Sequence, residues 1–425
     1  MTDTPGHRPV RRLAAAAGLA SLALAAAACG GGGGGFSKGA NSAGQPAKEK
    51  GSVALKMLIA SSGDAETGAV KAAAAAWGSK TGNTVDVAVA QDLGQQLGQA
   101  FAGGTPPDLF YTDAARFPDY VKAGSLYAYG NQVKNPDDFY APLKATFTYN
   151  NKFYCAPKDF STLGLQISKP AWAKAGLTDA DIPTTWDQLH AVAKKLTTGK
   201  QVGLAIGDTR DRIDAFLIQA GGGITNADSS KITATAPENV TALNFVKSML
   251  ADGSAKYPKQ LDAGWSGEAF GTGKAAMAME GNWIDGAMKK DYPKVGYQVA
   301  ELPQGPKGKG TLLFTQCWGI ADKSSHKAAA VDLVNSLTTV DQQLSFADAF
   351  GVMPSRSSAK AAYVKKFPKD AAFIAGGDYG RGPVNKPGFD SVLADFDTGL
   401  AGLRTGDSAA ILASLQKNAA AALTP

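Results

Sequence analysis

Val53-Ala54-Leu55-Lys56-Met57-Leu58-Ile59-Ala60 is an almost wholly apolar run of eight residues, and its surroundings decide the fold class. Its length suits a strand better than a helix, and its composition predicts a buried strand of a parallel sheet. A polar loop follows, Ser61-Ser62-Gly63-Asp64-Ala65-Glu66, and then a helical period through Val70 to Trp77. Val85 to Val89 alternates like a second strand, and Asp108-Leu109-Phe110-Tyr111 makes a third after the turn Thr105-Pro106-Pro107. Strands alternating with helices give an α/β class with a mainly parallel sheet.

The alternation resumes after residue 157. Thr185-Trp186-Asp187-Gln188 has the spacing of a capping box, in which the threonine accepts from the Gln188 amide and the glutamine reaches back. Leu189, Val192 and Leu196 continue that helix, and Val202 to Ile206 follows as a strand. Residues 237–250 and 326–338 have helical periodicity, and 389–423 divides into two helices at Gly406.

Before the first strand the chain changes character. Residues 1–28 hold Arg8, Arg11 and Arg12, then an apolar run from Leu13 to Ala28 that is shorter than the ~20 residues of a spanning helix. The run ends in small residues at Cys29, followed by six glycines, Gly30 to Gly35. This resembles a bacterial lipobox, with 1–28 as a signal peptide and Cys29 as the lipidated first residue of the mature chain. Residues 29–50 are poor in large apolar groups and read as a flexible tether spanning roughly 25 Å. The protein is thereby expected outside the cytoplasmic membrane, anchored to its outer face.

Without residues 1–28 the chain keeps 397 of its 425 residues, a length that suggests two domains. The leader takes three of the 43 basic and one of the 37 acidic residues, leaving a net charge of +4 with no Lys/Arg-dense block to suit nucleic acid. Three histidines, His7, His190 and His326, lie far from any ligand cluster, which argues against zinc. With Cys29 assigned to lipid, Cys155 and Cys317 remain as a disulfide or as two buried thiols.

Several segments together resemble the extracellular solute-binding proteins of ABC importers, in the sugar-binding group that includes maltose-binding protein. They are residues 101–110 (FAGGTPPDLF), 121–126 (VKAGSL), 153–157 (FYCAP), 175–177 with 183–189 (AGL, PTTWDQL), 270–277 with 280–283 (FGTGKAAM, EGNW) and 351–354 (GVMP). The family's tyrosine-asparagine-lysine appears here as Ile167-Ser168-Lys169, a departure that bears on local packing more than on function.

The resemblance implies a periplasmic-binding-protein-like fold, two α/β lobes joined by crossover strands with the ligand between them. The first lobe would hold residues 51–154 and 315–370, and the second 155–314 and 371–425. In such a fold the crossover strands lie side by side, which favours a Cys155–Cys317 disulfide at the hinge.

Sugar recognition needs aromatic faces for the rings and planar polar groups for the hydroxyls. Trp77, Trp172 and Trp186 sit at helical positions and are assigned to the core. By resemblance Trp283 stacks on the ligand, with Trp318 at the hinge and Trp265 as further candidates. Asp64 is a hydroxyl acceptor or a helix N-cap. Asp113 and Arg116 follow a strand whose C-terminal end faces the crevice, and Arg116 and Asp159 match family ligand groups. Of Asp208 and Asp211 one is expected in the cleft, the rest of that loop pairing with Arg210 and Arg212. Glu280, Tyr379 and Arg381 complete the set. No cofactor is expected. Partners are a carbohydrate, the permease subunits and the membrane through the anchor, with the chain a monomer. The alternatives are the same receptor for a polyamine, metal ion, phosphate ester or peptide, a glycosidase using Asp159 and Glu280, and a structural lipoprotein.

Overall fold

In the computed structural model, residues 51–226, 230–384 and 386–423 are described. Cys29, the leader and the whole tether lie outside the described residues. Strand β1 (Ala54–Ile59) pairs in parallel with β2 (Thr84–Val89) and β3 (Leu109–Asp113). It is not buried on both faces as its composition predicts: Leu55, Met57 and Ile59 are buried while Ala54 and Lys56 are exposed. A lysine and a small alanine at period two give the strand a solvent side.

The helix after β1 is Asp64–Thr81, ending on Gly82 at φ 77°, a left-handed C-cap that glycine adopts without strain. Trp77, buried on it, donates its indole N–H to Asp332 of helix Lys327–Leu337 at 2.8 Å.

The long strand β4 (Pro157–Ser168) organises the rest. Further along the chain come β5 (Val202–Ala205), β6 (Ala255–Lys256), β7 (Ala275–Gly281), β8 (Tyr297–Ala300), β9 (Leu313–Ile320) and β10 (Met353–Pro354). β9 runs antiparallel between β3 and β4, so the order across the sheet is β2-β1-β3-β9-β4-β7-β5-β6. β4 changes partners along its length: residues up to Thr162 pair with β9 and β10, and Leu163 to Ile167 pair with β7, with β8 on the far edge. One hydrophobic core gathers residues of 53–156 and 317–346, another those of 163–312 and 389–419. A third, smaller cluster gathers around Phe160, Met353, Tyr363 and Phe373.

Local chemistry matches the elements. Thr185 and Gln188 form the reciprocal capping box of helix Trp186–Leu196. Ile167-Ser168-Lys169 is accommodated with Ile167 fully buried and Ser168 capping helix Lys169–Lys174 through the Ala171 amide. The C-terminal segment forms helices Asp390–Ala401 and Ser408–Leu423. Among the described residues no helix is long and apolar enough to cross a membrane. Cys155 and Cys317 form a disulfide with Cα atoms 5.7 Å apart, joining the segment just before β4 to the middle of β9.

Candidate functional site

A cavity of about 450 Å³ opens where the two cores meet. Its floor is Leu312 and the β9 segment Leu313 to Gln316, with Phe314 as the aromatic surface. One wall is the end of β3 at Asp113 and Ala114 together with Asp159 of β4. The start of helix Arg210–Gln219 also lines it, as do Pro383, Val384, Lys386, Phe389, Asp390 and Leu393.

Asp159 is aimed by an irregularity in β4. Gln316 opposes Asp159 and Cys317 opposes Pro157, so Lys158 is an extra residue without a partner across the ladder. Such a bulge re-aims side chains, and here Lys158 and Asp159, neighbours in sequence, converge as an ion pair. The Lys158 ammonium also meets Glu66 Oε1 at 3.0 Å, and the Tyr111 hydroxyl donates to the same oxygen at 2.9 Å. Ser62 donates its amide and its hydroxyl to Glu66 Oε2 at 2.7 and 2.8 Å. The Lys158 and Glu66 side chains are each 5% exposed, and the ammonium rests over the Tyr111 ring.

Two carboxylates therefore share one ammonium in a dry setting. Burial alone would raise the Glu66 carboxyl, but Lys158 and the Ser62 donors outweigh it and hold it below its ordinary value. For Asp159 burial wins over Lys158, and the Glu66 charge adds to the upward shift. Lys158 is held above the ordinary lysine value, burial being outweighed by Asp159, Tyr111 and Glu66.

The helix in the lining begins at Arg210, which pairs with Asp397 and donates its backbone amide to Asp397 Oδ1 at 2.8 Å. Asp211 is exposed at the rim. Asp214 lies one helical turn further on, its Oδ1 covered and without a hydrogen-bond partner. Burial pushes the Asp214 carboxyl well above the usual range; Arg210 opposes this, and Asp211 and Asp397 reinforce it.

Beside the cavity sits an aromatic and ionic cluster. Arg212 pairs with Glu280 at 2.5 Å, and the Trp283 indole N–H donates to the same Glu280 oxygen at 3.0 Å. The Arg212 guanidinium stacks 5.1 Å from the Trp283 ring, whose edge contact with Phe314 is also 5.1 Å. Trp283 is 38% exposed, an uncommon state for an indole, and folds back over Gly281.

Of the residues expected from the sequence, Asp113, Asp159 and Asp211 line the cavity. Glu280 and Trp283 adjoin it through Phe314 and Arg212. The others are elsewhere. Asp64 is exposed in the first turn of its helix, and Gly63, not Asp64, is the N-cap. Arg116 is exposed over Gly94, 3.8 Å from Asp113, outside the cavity lining. Asp208 is half-buried outside the lining. Arg210 and Arg212 do not pair with the side chains of their own loop; their partners are Asp397 and Glu280. Trp318 is fully buried against Tyr111, with its carbonyl bound by the Tyr129 hydroxyl, and belongs to the core. Tyr379 donates to Glu301 at 2.7 Å and Arg381 donates to the Gly222 carbonyl at 3.0 Å, neither in the lining. Trp77, Trp172 and Trp186 are buried.

Sequence reasoning missed Glu66, Lys158, Asp214 and Phe314. The Lys158-Asp159 pair inside the run Cys155 to Leu165 was a usable signal for Lys158, since a buried ammonium requires carboxylate partners. Asp214, amid the apolar residues of its helix, carried the same kind of signal.

The family described as bacterial extracellular solute-binding protein matches residues 61–344. A binding protein of Brucella abortus (strain 2308) is 26% identical over 294 residues, 66% of this chain and 70% of that protein. The diacetylchitobiose binding protein DasA of Streptomyces coelicolor is 24% identical over 297 residues, 67% of this chain and 68% of it. Among solved structures, the cyclic alpha-maltosyl-1,6-maltose binding protein from Arthrobacter globiformis superposes with a TM-score of 0.79 at 21% identity, covering 88% of this chain and 99% of that one. At that identity the likeness speaks to fold.

Proposed function

This chain belongs to the bacterial extracellular solute-binding protein family, and from that membership and its cleft we propose that it is the capturing subunit of an ABC importer for a sugar or oligosaccharide. The observation that carries the proposal is the cavity of about 450 Å³, floored by Phe314 and walled by the carboxylates of Asp113, Asp159 and Asp211. That size and mixture of apolar floor and convergent polar groups suit a saccharide. The ring faces would rest on Phe314, with Trp283 extending the aromatic surface, and the hydroxyls would donate to the carboxylates. The ligands for which DasA and the Arthrobacter protein are named, both saccharides, support the same class.

The two lobes, 51–154 with 315–370 and 155–314 with 371–425, would close on the ligand by bending at β4 and β9. Closure is a population shift, so the ligand must bind the closed arrangement better than the open one. The carboxylates act as acceptors and not as catalysts. Cys29 would carry the lipid anchor and residues 29–50 the tether, keeping the monomeric receptor beside its permease.

A thermal-shift screen of the purified protein against mono- and oligosaccharides, polyamines, phosphate esters and divalent cations tests this. A saccharide at 100 times its dissociation constant should add about 2.7 kcal/mol. A response confined to the other classes refutes the sugar assignment, and none at all refutes the receptor.

A further inference from the structure

The cleft is acidic in a chain that is basic overall. The whole sequence carries a net charge of +6, yet five aspartates line the cavity against Arg210 and Lys386. One of these two positive groups is committed already. Arg210 is spent on Asp397, and outside the lining Lys158 is divided between Glu66 and Asp159. Asp214 stands out among the acids. Its covered Oδ1 has no hydrogen-bond partner although it belongs to the cavity wall, and a buried polar atom in a native protein is ordinarily satisfied.

A neutral sugar could donate hydroxyls to these groups, but it would leave the negative excess uncompensated. Closure expels water, and the repulsion that Asp211 and Asp397 exert on an ionised Asp214 then grows as the local dielectric falls. A positive group on the ligand removes that cost. Among the described residues no three His, Cys, Asp or Glu side chains come together as a metal site requires. The floor of Leu312, Leu313 and Phe314 suits a carbon ring better than a hydrated ion.

We propose that the ligand is a saccharide bearing a protonated amino group, with the ammonium received between Asp211 and Asp214 and the sugar ring laid on Phe314. The proposal rests on the saccharide-receptor reading above. Burial and the neighbouring Asp211 hold the Asp214 carboxyl high in the free protein, so an arriving ammonium favours its ionised form and binding should release a proton.

The test is calorimetric titration of the intact protein with three probes: β-1,4-linked glucosamine oligomers, the same oligomers N-acetylated, and neutral gluco-oligosaccharides, at a pH where the amine is charged. The free-amine series should bind at least about tenfold more tightly than both neutral series, with a binding enthalpy that depends on the buffer's ionisation heat. Asp214→Asn should bring the ratio of amine to neutral affinity toward one, and Asp211→Asn, at an exposed position, makes the same measurement should the first variant fail to fold. Neutral oligomers binding as tightly as the amine series, or an unchanged ratio in both variants, overturns the amine assignment while leaving the saccharide receptor. Binding of spermidine without any saccharide overturns both.

Discussion

Replacing Lys158 by Met removes one ammonium from between two carboxylates and leaves the bulk of the side chain in place. The structure sets the scale. Lys158 and Glu66 are each 5% exposed and Asp159 is 14% exposed, so water cannot restore the lost solvation. Breaking a buried ion pair by removing one partner costs about 3–5 kcal/mol, because the remaining charge is uncompensated. At about 2 °C per kcal/mol for a chain larger than 250 residues, the thermal midpoint should fall by roughly 6–10 °C. The pH dependence gives the reasoning its sign. In the parent protein Glu66 is held below its ordinary value, so its contribution is present above the unfolded pKa and is lost as pH falls through the folded one. Without Lys158 both carboxyls have folded pKa values above their unfolded ones, so the variant regains stability as pH falls and loses it as pH rises. Urea unfolding at pH 5 and pH 8 therefore should show the larger deficit at pH 8. Adding Glu66→Gln should recover at least about 1 kcal/mol relative to the sum of the single changes. A deficit below about 1 kcal/mol at pH 8, or an equal deficit at both pH values, refutes the account of a shared, desolvated ammonium.

Three further outcomes are expected. Asp370 is pushed up to about 7 by burial and by neighbouring Asp285; the native state then keeps a proton that the unfolded chain has lost, so stability should fall as pH rises from about 4 to about 7, by at most ~4 kcal/mol, and Asp370→Asn should flatten urea midpoints across that window. The Cys155–Cys317 bond spans 162 residues of sequence, so Cys155→Ser with Cys317→Ser should lower stability by about 2–5 kcal/mol, and reductant should lower the melting midpoint of the parent but not of the variant. A Cβ added at Gly281 would sit 2.2 Å from the Trp283 ring, so Gly281→Ala should displace the indole, shift the tryptophan emission maximum and weaken saccharide binding; an unchanged spectrum would count against the described packing.

Elements declared by local chemistry were legible from the chain. The capping box at Thr185 and Gln188 fixed a helix start, and a hydroxyl-to-amide bond three residues apart depends on nothing distant. Asp113 was legible as a cavity residue because the loop past a strand's carboxyl end faces the crevice in such sheets, Asp159 only through the family resemblance, and Asp211 only as one of two candidates in its loop. Trp318 was misplaced for a complementary reason. Its position on a crossover strand says nothing about which face it takes, and in β9 that face packs on Tyr111. The partners of Arg210 and Arg212 were equally hidden, since Asp397 and Glu280 lie 187 and 68 residues away.

The sequence by itself determined the class of fold, its alternation of strands and helices, and the family, because hydrophobic period, caps and motif spacing act over a few residues at a time, whereas the antiparallel pairing of β4 and β9 with their neighbours was not foreseen. Only the tertiary structure decided how charge is apportioned around the cleft. The bulge at Lys158, the sharing of its ammonium by Glu66 and Asp159, and the unpartnered Asp214 oxygen each depend on groups brought together from distant segments. Desolvation is a property of the assembled surroundings and not of any residue, so the balance of attraction and burial that sets this site exists only once the cores have met.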